Sequence, residues 1–256
     1  MLSKAIIKLI RSLDQKKYRI ENNLFVAEGH KIVGEIIKSD IKIKYLIAVK
    51  DWLNENKKLP KTQVFEVTEK ELQQISFQKT PQQVLAVCNL PEKKLHFDEL
   101  RNSLSLALDD VQDPGNLGTI IRIADWFGIK NIIASPATAD IYSPKVIQAT
   151  MGAFARVNVH YHSLPEFFNK IQSETNLPVY GTTLNGENIY KQKLTNNGII
   201  VMGSEGNGIS KEVLKTLTKQ LYIPPFQSDS PTSESLNVAT ATAIICAEYR
   251  RQQSSE

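Results

Sequence analysis

Hydrophobic and polar positions fall into two successive series in which short apolar runs alternate with segments of helical spacing. In the first series Ala5, Ile6, Leu9, Ile10 and Leu13 recur at helical intervals and predict a helix over 3–13. Runs at 24–27, 43–49, 62–67 and 84–88 predict strands, the last nearly all apolar and hence buried. Helical segments lie between them, running to 37 and over 51–57 and 69–75, the last opened by Thr68 as N-cap. The second series predicts strands at 104–108, 131–134, 157–160, 179–183, 198–202 and 221–223. Its first helix follows a turn-rich loop at 112–118 and stops at Gly128. Further helices are expected at 143–150, 164–172, from Ser210 to Leu217, and at 235–250. Two alternating series predict two α/β domains, 1–92 and 103–256, joined by a polar linker at 93–102.

Composition changes this picture little. A chain of 256 residues with 41% hydrophobic and 23% charged positions is ordinary for a folded protein of this organisation. No apolar run nears the roughly 20 residues a membrane span requires. The start, Met1-Leu2-Ser3-Lys4-Ala5, lacks an apolar signal region, so a cytoplasmic protein without membrane attachment is expected. Cys88 and Cys246 lie far apart in apolar contexts and are expected as core residues in a reducing compartment. The histidines show no zinc-type spacing, and no metal site is expected. His160 and His162, at a strand end, are expected at the surface.

Charge is more informative. Residues 1–94 carry 18 Lys and Arg against 11 Asp and Glu, and the remainder carries 13 against 16. A basic front half is suited to a polyanion, although a solvated lysine-rich surface gives the same count.

Three loops after predicted strands hold the candidate chemistry, at the strand ends where parallel α/β sheets bind ligands. The first, D-P-G-N-L-G-T-I-I-R, contains Asn116, with donor and acceptor atoms, and Arg122, a permanent cation suited to phosphate. The same spacing fits a helix cap and a surface arginine. In the second, G-S-E-G-N-G, glycine lets backbone approach a ligand closely. It lacks G-x-G-x-x-G spacing, and Ile209-Ser210 stand where a phosphate-binding loop needs Gly-Lys, which argues against an ordinary nucleotide site. The third, S-L-N-V, opens the last helix, either with serine as its N-cap or with backbone N–H groups turned to a ligand.

Together these segments resemble the SpoU/TrmH family of RNA ribose 2′-O-methyltransferases, within the SPOUT superfamily. D-D-V-Q-D-P-G-N-L-G-T-I-I-R-I-A-D-W-F-G is similar to the family's first motif, and I-I-V-M-G-S-E-G-N-G-I-S to its second. I-P-P-F followed by S-E-S-L-N-V-A-T-A-T-A-I is similar to the third, and Thr150-Met151-Gly152-Ala153 matches a recurrent family segment. The front half, with K-K-Y-R and L-F-V-A-E-G-H-K, resembles the family's substrate-binding domain, akin to a ribosomal-protein RNA-binding fold.

The resemblance implies an α/β fold: a C-terminal parallel sheet with a deep trefoil knot, and a smaller N-terminal α/β RNA-binding domain. It implies S-adenosylmethionine held by backbone groups at Gly203, Gly206, Ile223, Leu236, Asn237 and Val238. It places Arg122, Asn116 and Glu205 in catalysis or substrate positioning, and Lys16, Lys17, Arg19 and Lys31 against RNA. It implies a homodimer through the knotted domain, and a substrate of structured RNA, ribosomal RNA favoured over transfer RNA. A guanidinium gives up its proton too reluctantly to be a good base, so Arg122 is expected to act as a cation on phosphate and developing alkoxide. Two features depart from the family pattern: the long spacer over 225–232, and Ala239 where many members have serine. The competing expectation is a non-catalytic RNA-binding or ribosome-assembly protein with a degenerate knot.

Overall fold

The structure is a computed structural model that describes residues 2–226 and 234–253; within the long spacer, 227–232 lie outside the described residues. In chain order the first elements are α1 (Lys4–Ser12), α2 (Lys16–Asn22), β1 (Leu24–Glu28), α3 (His30–Ile37), β2 (Ile43–Val49), α4 (Lys50–Glu55), β3 (Gln63–Val67), α5 (Glu69–Ile75) and β4 (Val84–Asn89). There follow α6 (Phe97–Arg101), β5 (Leu104–Asp109), α7 (Pro114–Trp126), β6 (Asn131–Ala134), α8 (Pro144–Thr150), β7 (Asn158–Tyr161) and α9 (Leu164–Thr175). The chain ends with β8 (Val179–Asn188), β9 (Gly198–Gly203), α10 (Lys211–Leu214), β10 (Lys219–Tyr222) and α11 (Val238–Gln253). They form two compact units, residues 1–92 with 140–156 and residues 93–139 with 157–256.

The first unit is built on a four-stranded sheet in the order β1-β4-β2-β3, with β4 antiparallel to both neighbours and β2 parallel to β3. Helix α5 starts where the sequence predicts. Thr68 accepts from the Glu71 N–H at 3.3 Å while the Glu71 carboxylate accepts from the Thr68 N–H at 2.9 Å. This reciprocal cap satisfies two otherwise orphaned donors. The stretch 140–156, which the hydrophobic pattern assigns to the second series, packs in this unit. Tyr142 and Phe154 meet Phe25 of β1, with ring centroids 4.9 and 5.9 Å apart.

Arg19 corrects the expectation of an RNA-facing side chain. It is buried, donating to the carbonyls of Leu13 at 2.7 Å and Asp14 at 2.6 Å and to the Asp140 carboxylate at 2.6 Å. Burying a guanidinium requires a compensating charge, here Asp140; Nη1 and Nη2 make these bonds while Nε has no partner among the described residues, and the side chain is committed to holding 140–156 against α2. Lys16, Lys17 and Lys31 are exposed.

The second unit is a six-stranded, all-parallel sheet in the order β10-β8-β9-β5-β6-β7. All of β5, and β9 up to Met202, is buried, the pattern of central strands covered on both faces. On one face Ala107, Ile133, Val179, Ile199 and Val201 pack with Phe167, Phe168 and Ile171 of α9. By alternation Leu106, Leu108, Ile200 and Met202 turn to the other face, and α11 packs on α7 and β9.

Three boundaries differ from expectation. The loop predicted at 112–118 is largely the first turn of α7, because Asp113 accepts from the Asn116 N–H at 2.7 Å and Pro114 tolerates the first helical position. Residues 97–101, predicted as linker, form α6, anchored by buried Leu100. The last helix begins at Val238 and not Ser235; the Asn237 side chain caps it, accepting from the N–H groups of Ala239 at 3.0 Å and Thr240 at 3.2 Å. His160 is also a correction. It is 7% exposed on β7, with Nε2 3.4 Å from the Asn131 side-chain Oδ1, because the edge strand turns this residue inward. Among the described residues no helix is long and apolar enough to cross a membrane.

Candidate active site

The candidate residues converge at the carboxyl ends of β5 and β9. Asp109, the last residue of β5, is 5% exposed, and its Oδ2 accepts from the Ser210 N–H at 2.7 Å. This buried carboxylate ties the segment after β9 to the end of the neighbouring strand. Asp110, next in the chain, adopts φ 58° and donates its N–H to Ser135 Oγ at 2.9 Å. The backbone therefore turns sharply into α7, whose first turn carries Asn116.

The loop after β9 folds back on itself. Ser204 N–H donates to the Gly208 carbonyl at 3.1 Å, and Gly208 N–H to the Ser204 carbonyl at 2.9 Å. A Cβ at Gly203 would collide with the Gly208 backbone, so glycine there is demanded by the turn itself. The turn presents Glu205 at its exposed tip.

Three loops then meet through one chain of side-chain hydrogen bonds. Asn237 Nδ2 donates to Asn116 Oδ1 at 3.0 Å, and Asn116 Nδ2 donates to Glu205 Oε1. The direction of this relay follows from its origin. Asn237 Oδ1 is held by the N–H groups of the helix it caps, so its Nδ2 must face Asn116. Asn116 is then oriented with its amide nitrogen toward the Glu205 carboxylate. Capping of α11 thus determines the orientation of two amides and a carboxylate at the sheet edge.

Arg122 is not part of this network. At 100° and 1.5 Å per residue, it lies roughly 9 Å along α7 from Asn116 and about 120° around the helix. It is exposed and makes no hydrogen bond or ion pair among the described residues. Four residues on, Trp126 shares its face and is 85% exposed.

The residues expected to hold the cofactor fall at the end of β9 (Gly203, Gly206), just after β10 (Ile223) and at the start of α11 (Leu236, Asn237, Val238). Nothing lies within 4 Å of the Cβ position at Gly206. Residues 223–226 and 234–236 make no backbone hydrogen bond among the described residues. Half-buried Ile223 and Leu236, 44% exposed, add apolar surface beside these backbone groups. Backbone donors and acceptors without a partner among the described residues, beside aliphatic surface, fit an adenosine-containing ligand. Val238 is 5% exposed, so its side chain belongs to the core and only its backbone is available. Ala239 is also buried, and Thr240 and Ser235 are the exposed hydroxyls nearby in sequence.

Sequence reasoning missed Asp109 as the tether and Asn237 as partner of Asn116. The first had a signal in the paired acids ending an apolar strand; the second had only an Asn at a helix start, a common cap.

Comparison with known proteins was consistent across the chain. Residues 103–247 match the model of the SpoU rRNA Methylase family, and residues 4–86 match an MRM3-like substrate binding domain. A Bacillus subtilis relative, named 23S rRNA (guanosine(2553)-2′-O)-methyltransferase RlmP, is 33% identical over 245 residues, 93% of each chain. Among solved structures, a TrmH-family protein from Porphyromonas gingivalis superposes with a TM-score of 0.90 at 41% identity, covering 98% of this chain and 99% of its own. An AdoMet-bound rRNA methyltransferase from Sinorhizobium meliloti gives 0.84 at 31% identity, covering 98% and 96%.

Proposed function

The chain belongs to the SpoU rRNA methylase family, and on that premise we propose that it methylates a ribose 2′-hydroxyl in ribosomal RNA from S-adenosylmethionine. The observation that carries this reading is the Asn237–Asn116–Glu205 relay at the sheet edge, beside backbone groups without a partner among the described residues. When bound, the sulfonium supplies an already activated methyl group. Transfer of that methyl group to the ribose 2′-oxygen would leave a neutral sulfide, and the hydroxyl proton would pass to solvent water.

The remaining difficulty is the weakly acidic hydroxyl, and this chain's residues address it. Glu205, with one oxygen accepting from Asn116, keeps its second as an acceptor that orients a substrate hydroxyl. Asn116 holds that carboxylate in place. Arg122, fully charged, orients the target phosphate and stabilises developing negative charge on the 2′-oxygen. The backbone at Gly203, Gly206, Ile223, Leu236, Asn237 and Val238 cradles the cofactor, within the knotted topology expected of this family.

Because Arg122 stands apart from the relay, we further infer that a homodimer completes the site across the α7 face bearing Arg122 and exposed Trp126. Exposed Lys16, Lys17 and Lys31 add sequence-independent attraction for the RNA backbone.

Mapping 2′-O-methyl sites in total RNA with and without the gene tests the reading. Loss of one ribosomal RNA site is expected; loss of a transfer RNA site would redirect the substrate, and no loss would overturn the enzyme reading. S-adenosylhomocysteine at a hundredfold excess over its Kd should stabilise the fold by about 2.7 kcal/mol.

A further inference from the structure

The first unit contains a cleft of about 720 Å³ lined from α1, β1, the segment after α5, and α8. It lies within the roughly 300–1,000 Å³ typical of small-ligand sites, enough for one nucleotide and too little for a duplex. Its chemistry is mixed in a specific way. Half-buried Phe77 offers an aromatic ring, with the Arg11 guanidinium 5.6 Å from its centroid. Arg11 donates one N–H to the Ser76 carbonyl at 3.0 Å, which leaves its other donors for a ligand. Lys79 and Lys145 are exposed on the lining.

Two features go beyond a basic groove. Gln78 Nε2 donates to Gln148 Oε1 at 2.9 Å, so Gln78 Oε1 and Gln148 Nε2 remain as an acceptor and a donor side by side. Glu28, 6% exposed, accepts from Ser76 Oγ at 2.5 Å and the Phe77 N–H at 2.8 Å. Each of its oxygens keeps a second lone pair, an acceptor for base N–H groups. Burial pushes its carboxyl above the ordinary range, against the opposing pull of Ser76, Phe77 and Arg11.

We propose that this cleft binds one unstacked nucleotide of the RNA substrate, its base against Phe77 and the amide pair and its phosphate at Lys79 and Lys145. Single-stranded RNA is read in this manner, by stacking on an aromatic or guanidinium plane with polar contacts to the base edge. Carboxylate and amide at the base favour a nucleobase rich in N–H donors, with guanine the best match. The inference rests on the RNA-methylation reading and deepens it by assigning a recognition subsite away from the reacting sugar.

The test measures binding of the single-stranded hexaribonucleotide UUUGUU to the full chain by fluorescence anisotropy. Phe77→Leu should weaken binding roughly tenfold, the scale of one lost base stack. The double variant Lys79→Ala/Lys145→Ala, at exposed positions that leave folding intact, should weaken it similarly and flatten its salt dependence. A hexamer with an abasic site in place of guanine should bind about tenfold less well. Equal binding of the abasic hexamer would mean that only phosphate is held, and wild-type affinity in Phe77→Leu would likewise overturn the proposal. S-adenosylhomocysteine affinity, measured on the same proteins, reports on the methyltransferase reading separately.

Discussion

Asn116 and Arg122 lie on one helix and in one motif, yet they face different surroundings. Asn116 is oriented by a helix cap on another element, while Arg122 meets solvent. The two therefore fail differently when changed. Arg122→Ala should lower kcat by about 10²-fold or more, the scale of removing one positioned donor from a developing oxyanion. Arg122→Lys should retain part of the rate with an unshifted pH profile if only charge is needed; a profile displaced in pH would identify a titrating base. At the opposite edge of the same sheet, His160 makes a prediction about stability. Burial, then the positive charges of His162 and Lys93, push it down to about 4, against the pull of Glu99. Above about pH 6.5 the ring is neutral folded and unfolded, and native stability is complete. As pH falls through that range toward about 4, the unfolded chain takes up the proton first and stability is lost. The Tm of the wild type should drop more steeply over this window than that of His160→Asn.

At the scale of elements, helix starts were legible where a short-range cap exists. Thr68 with Glu71, and Asp113 with Pro114, carry their signal within three residues. At α7 that signal is masked, because glycine and proline in D-P-G-N-L-G also mimic a turn. The basic segment of α2 illustrates the reverse. K-K-Y-R is continuous in sequence, but at helical spacing Arg19 falls on the inward side while Lys16 and Lys17 stay outside. Arg19→Met should cost about 3–5 kcal/mol in urea denaturation, because it leaves Asp140 with a poorly solvated, unpaired charge. Lys16→Ala/Lys17→Ala should leave stability within about 0.5 kcal/mol and weaken RNA binding with a shallower salt dependence.

On the scale of the molecule, the exposed Trp126 is the feature the monomer leaves unexplained. Surface tryptophan on the face that carries Arg122 is suited to anchor a second subunit, since aromatic side chains dominate interface energetics. Trp126→Lys should raise the dimer Kd at least tenfold by light scattering and lower activity in parallel. An unchanged dimer would remove this face from the interface. Much of the architecture was legible in the chain: apolar runs and helical spacing are local consequences of which face each residue must bury, so the two α/β series follow from them, while the parallel second sheet followed from the family resemblance. The motif loops were legible as well, through their resemblance to the family's segments. Decisions that join distant residues were not. Asp109 holding Ser210, Asn237 turning Asn116 toward Glu205, Arg19 drawing 140–156 into the first unit, and the cleft beneath Phe77 each depend on partners more than forty residues apart. Their side chains carry no periodic signature, and only the packed chain brings them within hydrogen-bonding distance.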